Sequence, residues 1–160
     1  MSPIAPPGSG ATAPISPCTN FKVRSLARLL SQLYDDTLAP SGLRGTQYGL
    51  IAHARRPRGG AAPTVSELAA AMFTDRTTLT RNLRPLVAAG MLRLEPGPDA
   101  RSKAVLVTPE GEAAFQRARS LWKAAQARVR EVAGQRPVTE LEGLIDRMLP
   151  LFAEVTESNR

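Results

Sequence analysis

At 160 residues with 42% hydrophobic side chains, the chain is long enough for one domain with its own core and too short for two independent ones. Its 21 lysines and arginines against 14 acidic residues leave a formal net charge of +7, which favours an acidic partner, nucleic acid ahead of a membrane surface. One cysteine, Cys18, excludes an intrachain disulfide, and one histidine, His53, leaves no Cys/His cluster for a structural metal.

From Ser2 to Phe21 no residue is charged, and "SPIAPPGSGATAPISP" is too rich in proline, glycine and serine for a membrane helix. It also lacks the basic start and continuous apolar run of a secretory signal, so residues 1–17 are expected to be a disordered leader on a cytoplasmic protein without a membrane partner. Phe21, Val23, Leu26, Leu29, Leu30, Leu33 and Tyr34 then recur at steps of three and four, which predicts an amphipathic helix over about 20–38. "APSGLRG" ends it, and Thr46 is expected to cap a shorter helix through "TQYGLIAHA". The basic stretch "RRPRGGAAP" follows as a loop.

Thr64 and Glu67 in "TVSELAAAM" have capping-box spacing, so a helix of about two turns begins there. A turn around Phe73 and Thr74 leads to Asp75, the expected N-cap of a helix that ends at Gly90. Two short helices joined by a tight turn outline a helix-turn-helix. "MLRLE" and "KAVLV" read as short strands separated by "PGPDARS", a connection long enough to project as a wing. Thr108 with Pro109 restarts a helix that ends near Gly134. A last helix, expected from Thr139 to about Ser158, places Leu141, Leu144, Ile145, Met148, Phe152 and Val155 along one face. The flanking helices carry more apolar surface than one small domain can use, and a bundle between two chains would bury it. The class is therefore mainly α with a small β-hairpin wing: a winged helix-turn-helix core over about 46–107, with dimerisation helices over about 20–38 and 108–158.

In "DRTTLTRNLRP", Leu79, Leu83 and Leu86 cluster on one side at about 100° per residue. Arg76, Thr77, Thr80, Arg81 and Arg84 fan across the other, with Thr78 beside them. Threonine is a poor helix former by a few tenths of a kcal/mol relative to alanine, so helix stability does not explain this row. Arginine forks onto guanine or grips phosphate, and threonine offers a hydroxyl and a methyl to a base edge, which makes these six residues candidate DNA contacts. A solvated amphipathic helix is the competing reading. Pro85 cannot donate to the carbonyl of Arg81, at a typical cost of about 3 kcal/mol, and a kink is expected there. On the wing, Asp99, Arg101, Ser102 and Lys103 are candidates: an arginine on a projecting tip suits the minor groove, and Asp99 is placed to hold its guanidinium. Arg84, Lys103 and the "RRPR" loop are candidate phosphate contacts.

The chain from Cys18 onward resembles the multiple-antibiotic-resistance-regulator (MarR) family of bacterial transcription factors. The resemblance is carried by "LYDDTLAPSGLRGTQY", "TVSELAAAMFTDRTTLTRNLRPLVAAGML", the Asp99-Ala100-Arg101 signature, "VLVTPEGEAAF" and "LWKAAQ". It implies a homodimer with interlocked terminal helices, a domain over 18–160, and a double-stranded palindromic operator. It also implies a recognition helix at about Asp75–Ala89, with Arg101 as the minor-groove arginine. A repressor released by a small aromatic or phenolic acid is the function it suggests. Tyr34, Tyr48, His53 and Trp122 fall on the helices that would line the effector crevice, and Arg24 or Arg28 would pair with a carboxylate. Aromatics and a histidine at helical spacing also serve as core or interface residues.

Two other functional readings stay open. Cys18, at the start of the first predicted helix, is the candidate for a thiol-based redox response, although this chain has Thr19 and Asn20 where some members of the family it resembles carry a second cysteine nearby. A winged-helix interaction module without DNA binding is the other. No nucleophile beside a histidine, metal constellation or phosphate loop is present, so neither enzymatic activity nor a cofactor is expected.

Overall fold

Capping chemistry sets the helix boundaries in the computed structural model, which describes residues 17–55, 61–99 and 101–158. Residues 1–16 of the expected leader and residues 56–60 of the expected basic loop lie outside the described residues. In chain order, α1 (Thr19–Leu38) is followed by one 3-10 turn (Ala39–Ser41), α2 (Gly45–Ala54), α3 (Val65–Ala71) and α4 (Arg76–Ala88). A hairpin of β1 (Leu92–Pro96) and β2 (Lys103–Val107) comes next, then α5 (Pro109–Ala133) and α6 (Gln135–Ser158).

The capping box before α3 closes as its spacing requires: Thr64 Oγ1 accepts from the Glu67 amide at 3.2 Å, and the Thr64 amide donates to Glu67 Oε2 at 2.8 Å. Thr108 caps α5 by accepting from the Gly111 amide at 3.0 Å, with Pro109 in the first position, where no N–H is needed. α4 continues through Pro85 to Ala88, and Gly90 turns the chain with φ +69°.

Two boundaries differ from expectation. Thr46 does not cap α2, which starts at Gly45 with Arg44 as its N-cap, two residues before the expected cap. The Gly45 amide instead finds Asp35 Oδ1 of α1 at 2.8 Å, and the Arg44 amide donates to Gln47 Oε1 at 2.9 Å. The cap is thus partly tertiary, supplied across a helix–helix contact. α6 begins at Gln135 rather than Thr139, separated from α5 by Gly134 alone, whose φ of +86° reverses the chain. Pro137 sits in the first turn of α6, where helical N–H groups have no internal partner, so it starts the helix instead of blocking it.

β1 and β2 pair antiparallel from Leu92↔Val107 to Pro96↔Lys103. Pro63 lies alongside as a third edge, its carbonyl accepting from the Val105 amide at 2.8 Å. Leu50 and Ile51 of α2, Leu68 of α3, Leu79, Leu83 and Leu86 of α4, Leu92 of β1 and Val105 of β2 form one core with Ala114 and Phe115 of α5. Gly111 lets the start of α5 lie against the chain leading into β1, because a Cβ there would strike the Met91 carbonyl. α5 then leaves the lobe to pack with α1 and α6. Among the described residues, no helix is long and apolar enough to cross a membrane.

Candidate nucleic-acid interface

The turn between α3 and α4 is tight: the Phe73 amide donates to the Ala70 carbonyl at 3.1 Å and the Thr74 amide to the Ala69 carbonyl at 3.0 Å. Phe73 adopts φ +49°, the only positive φ outside glycine among the described residues. Asp75 Oδ1 then accepts from the Thr78 amide at 2.8 Å. Hydrogen bonds from Thr78, its side chain first and its backbone next, hold the Asp75 carboxyl below the ordinary carboxylate range.

This cap aims the first turn of α4 outward. Leu79, Leu83 and Leu86 are buried, so the helix cannot rotate without exposing them, and Arg76, Thr77, Thr80, Arg81 and Arg84 are exposed together on the other side. Thr78 is half-buried beside them. The Thr80 hydroxyl donates to the Arg76 carbonyl at 2.8 Å, so its proton is committed and its outward face offers a methyl group and acceptor lone pairs.

The wing tip is shaped by Asp99 and Ser102. Ser102 returns its amide and its hydroxyl to the Asp99 carbonyl, both at 3.1 Å, and its carbonyl accepts from the Gly97 amide at 3.0 Å. Asp99 Oδ1 accepts from the backbone amide of Arg101 at 3.2 Å. The expected hold on the guanidinium is therefore replaced by a local turn: among the described residues, no ion pair joins the Asp99 and Arg101 side chains. The short aspartate reaches an amide two residues on more readily than the far end of a long side chain. Arg101 and Lys103 are exposed, and Ser102 is half-buried.

The candidate effector residues divide. Tyr48 stacks on Trp122, with ring centres 5.7 Å apart, and on Phe115, 4.7 Å apart and nearly parallel. Burial raises the Tyr48 and Tyr34 hydroxyls above the ordinary phenol range, against the opposing pull of Arg119 and Arg130 respectively. Tyr34 packs against the same core as Tyr48 and Trp122 and also feels the Arg130–Glu142 ion pair that joins α5 and α6. His53 is exposed, with Nδ1 2.8 Å from the Gly49 carbonyl. Arg24 and Arg28 line a surface depression of about 360 Å³ with Ala27 and Ser31 of the same helix. A cleft of about 510 Å³ opens between the α3–α4 turn and α6, lined by Phe73, Leu149 and Phe152, and none of the six candidates reaches it. Cys18 is exposed at the N-cap of α1.

One member of the "RRPR" stretch turns inward. Arg55 forks onto Glu112 of α5, with Nε 2.5 Å from Oε2 and Nη2 2.7 Å from Oε1, and so is not a phosphate contact in this conformation. Hydrogen bonds from Arg55, then Gln116, hold the Glu112 carboxyl below the ordinary range. Sequence reasoning missed this pair because its members are far apart in the chain; Glu112 reads as an ordinary acidic residue in a first helical turn.

No protein-family model and no curated protein matches the chain. Solved structures do. The M. tuberculosis transcriptional regulator MosR in complex with DNA is 37% identical over 89% of this chain and 98% of its own, with a TM-score of 0.71. A mutant of E. coli MarR complexed with operator DNA is 25% identical over 82% of this chain and 93% of its own, with a TM-score of 0.68. A MarR-family transcriptional regulator from Rhodococcus, 19% identical over 84% of this chain and 96% of its own, shares the fold with a TM-score of 0.69. With a solved regulator of this group 37% identical over nearly its whole length, the chain belongs to the MarR family of transcriptional regulators.

Proposed function

We propose that the chain acts in the cytoplasm as a homodimeric, sequence-specific DNA-binding repressor that a small aromatic or phenolic acid releases. The observation that carries this reading is α4, whose leucines are buried while Arg76, Thr77, Thr80, Arg81 and Arg84 share one exposed face, with Arg101 exposed at the tip of the hairpin. The DNA complex of MosR, more than a third identical to this chain, supports it. In the bound state α4 enters the major groove with Arg76, Arg81 and the threonines toward base edges, and Arg101 enters the adjacent minor groove. Asp99 and Ser102 hold the tip that carries it, while Arg84 and Lys103 meet phosphate. Two copies related by a two-fold axis reach major grooves about 34 Å apart, so the operator is an inverted repeat.

Selection from random DNA at about 150 mM salt is expected to return such a repeat. Arg81→Ala and Arg101→Ala should each weaken binding to it by about 10- to 100-fold, the cost of losing one specific contact. Unchanged affinity in both variants would favour an interaction module that leaves DNA alone. For the effector, Tyr34, Tyr48, His53 and Trp122 are the candidate ring partners and Arg24 or Arg28 the carboxylate partner. Aromatic acids that bind should raise the melting temperature and release the operator. No shift across a broad panel would remove this part of the reading.

A further inference from the structure

The seam between α2 and α5 is more directional than packing alone requires. Arg55, which follows α2, forks onto both oxygens of Glu112 in the first turn of α5, and Gln116 Nε2 donates to the same carboxylate at 2.8 Å. The guanidinium lies 4.0 Å from the centre of the Phe115 ring. Phe115 stacks on Tyr48, and Tyr48 on Trp122. Side chains from the α2 segment, Arg55 and Tyr48, thus alternate with Glu112, Phe115 and Trp122 of α5.

With 31% and 43% of the two side chains exposed, the ion pair adds little to stability. A planar two-point fork resting on a ring does something else: it is satisfied in one relative orientation of its two elements. α2, α3 and α4 share a core with Ala114, Phe115 and Ala118 of α5, which runs on to α1 and α6, so this seam, with the contact of α1 on α2, joins the lobe to the terminal helices.

We infer that Arg55 and Glu112 are positioning residues for operator binding: their clasp fixes the angle of the helix-turn-helix lobe on α5, and with it the separation of the two α4 helices in the dimer. The inference rests on the homodimeric, operator-binding reading above. A change of angle alters the match to two grooves about 34 Å apart, while a single lobe on random DNA is indifferent to it.

The probe is the inverted repeat that the wild-type chain selects from random DNA, together with versions carrying one or two base pairs more or fewer at the dyad. Glu112→Gln and Arg55→Lys are each expected to weaken binding to the selected repeat by about tenfold and to flatten the preference for its spacing. Affinity for random DNA and the melting temperature should stay at wild-type values, and the emission of Trp122, the sole tryptophan of the chain, should shift. The swap of Arg55→Glu with Glu112→Arg should recover part of the spacing preference. If Arg55 gripped phosphate instead, Glu112→Gln would liberate it and operator affinity would hold or rise; that result overturns the inference. A lowered melting temperature with unchanged spacing preference marks a purely structural pair and overturns it as well. A wild-type chain that selects no repeat at all defeats the functional reading itself.

Discussion

In the lobe, Leu79, Leu83 and Leu86 of α4 share a core with Leu68, Leu92 and Val105, and none of the six keeps more than 2% of its surface. On α1 and α6, Val23, Leu29, Leu151 and Phe152 keep between 60 and 67%. Both regions are written with the same helical periodicity, yet one finds its partners within the chain and the other does not. Leu26, Leu144, Ile145 and Val155 extend the uncovered surface over both terminal helices. Large apolar side chains left uncovered on two helices suit an interface, and a second copy is the occupant that the proposed function assigns to it. In the proposed function specificity and assembly are therefore separable: the lobe would carry the side chains that face DNA, and the terminal helices the means of presenting two lobes at once.

The strongest way to break this contrast is to make the terminal helices polar. Leu29→Asp combined with Phe152→Asp is expected to give a monomer by analytical ultracentrifugation and to lower operator affinity by about a hundredfold or more, because the two half-sites no longer bind as one event. The lobe should remain folded by circular dichroism, and a variant that stays dimeric would refute the division. Leu83→Ala attacks the other side: it empties part of the lobe core and should lower unfolding free energy by about 2–5 kcal/mol in chemical denaturation. Its effect should not depend on protein concentration, whereas the wild-type melting midpoint should rise with concentration as a dimer's does. Thr64→Ala removes the acceptor of the Glu67 amide and should destabilise by about 1 kcal/mol, seen as faster amide exchange in the first turn of α3.

The smallest effect concerns Asp75. Its carboxyl is held below the ordinary range by Thr78, so its contribution is complete above the ordinary carboxylate pKa and is lost as pH falls through the lower folded value. Asp75→Asn keeps an acceptor at the N-cap and should flatten the acid limb of the melting curve between about pH 5 and about pH 2. An identical acid limb in wild type and variant would show that Asp75 does not contribute to it.

Much of the site was legible one residue at a time. The Thr64–Glu67 box, the Asp75 cap, the Thr108–Pro109 start and the leucine face of α4 are short-range patterns, and each appears where its spacing placed it. The exceptions involve partners outside the local window. Gly45 is capped by Asp35 of a neighbouring helix, and Arg55 is drawn from a basic run to Glu112. The start of α6 lies four residues before the expected Thr139, because Pro137 is tolerated within a first turn. At the wing, the expected bond from Asp99 to the Arg101 guanidinium does not form, since Asp99 takes the nearer amide.

Periodicity and capping spacing by themselves determined the element order, the face of α4 that is buried and the face that is exposed, because a helix's own geometry decides which residues share a side and which side chains reach its first amides. Only the tertiary structure decided that Tyr48 and Trp122 stack while His53 stays exposed, and that one arginine of the basic run pairs with Glu112 of α5. Those choices depend on how two helices cross, which no local pattern encodes.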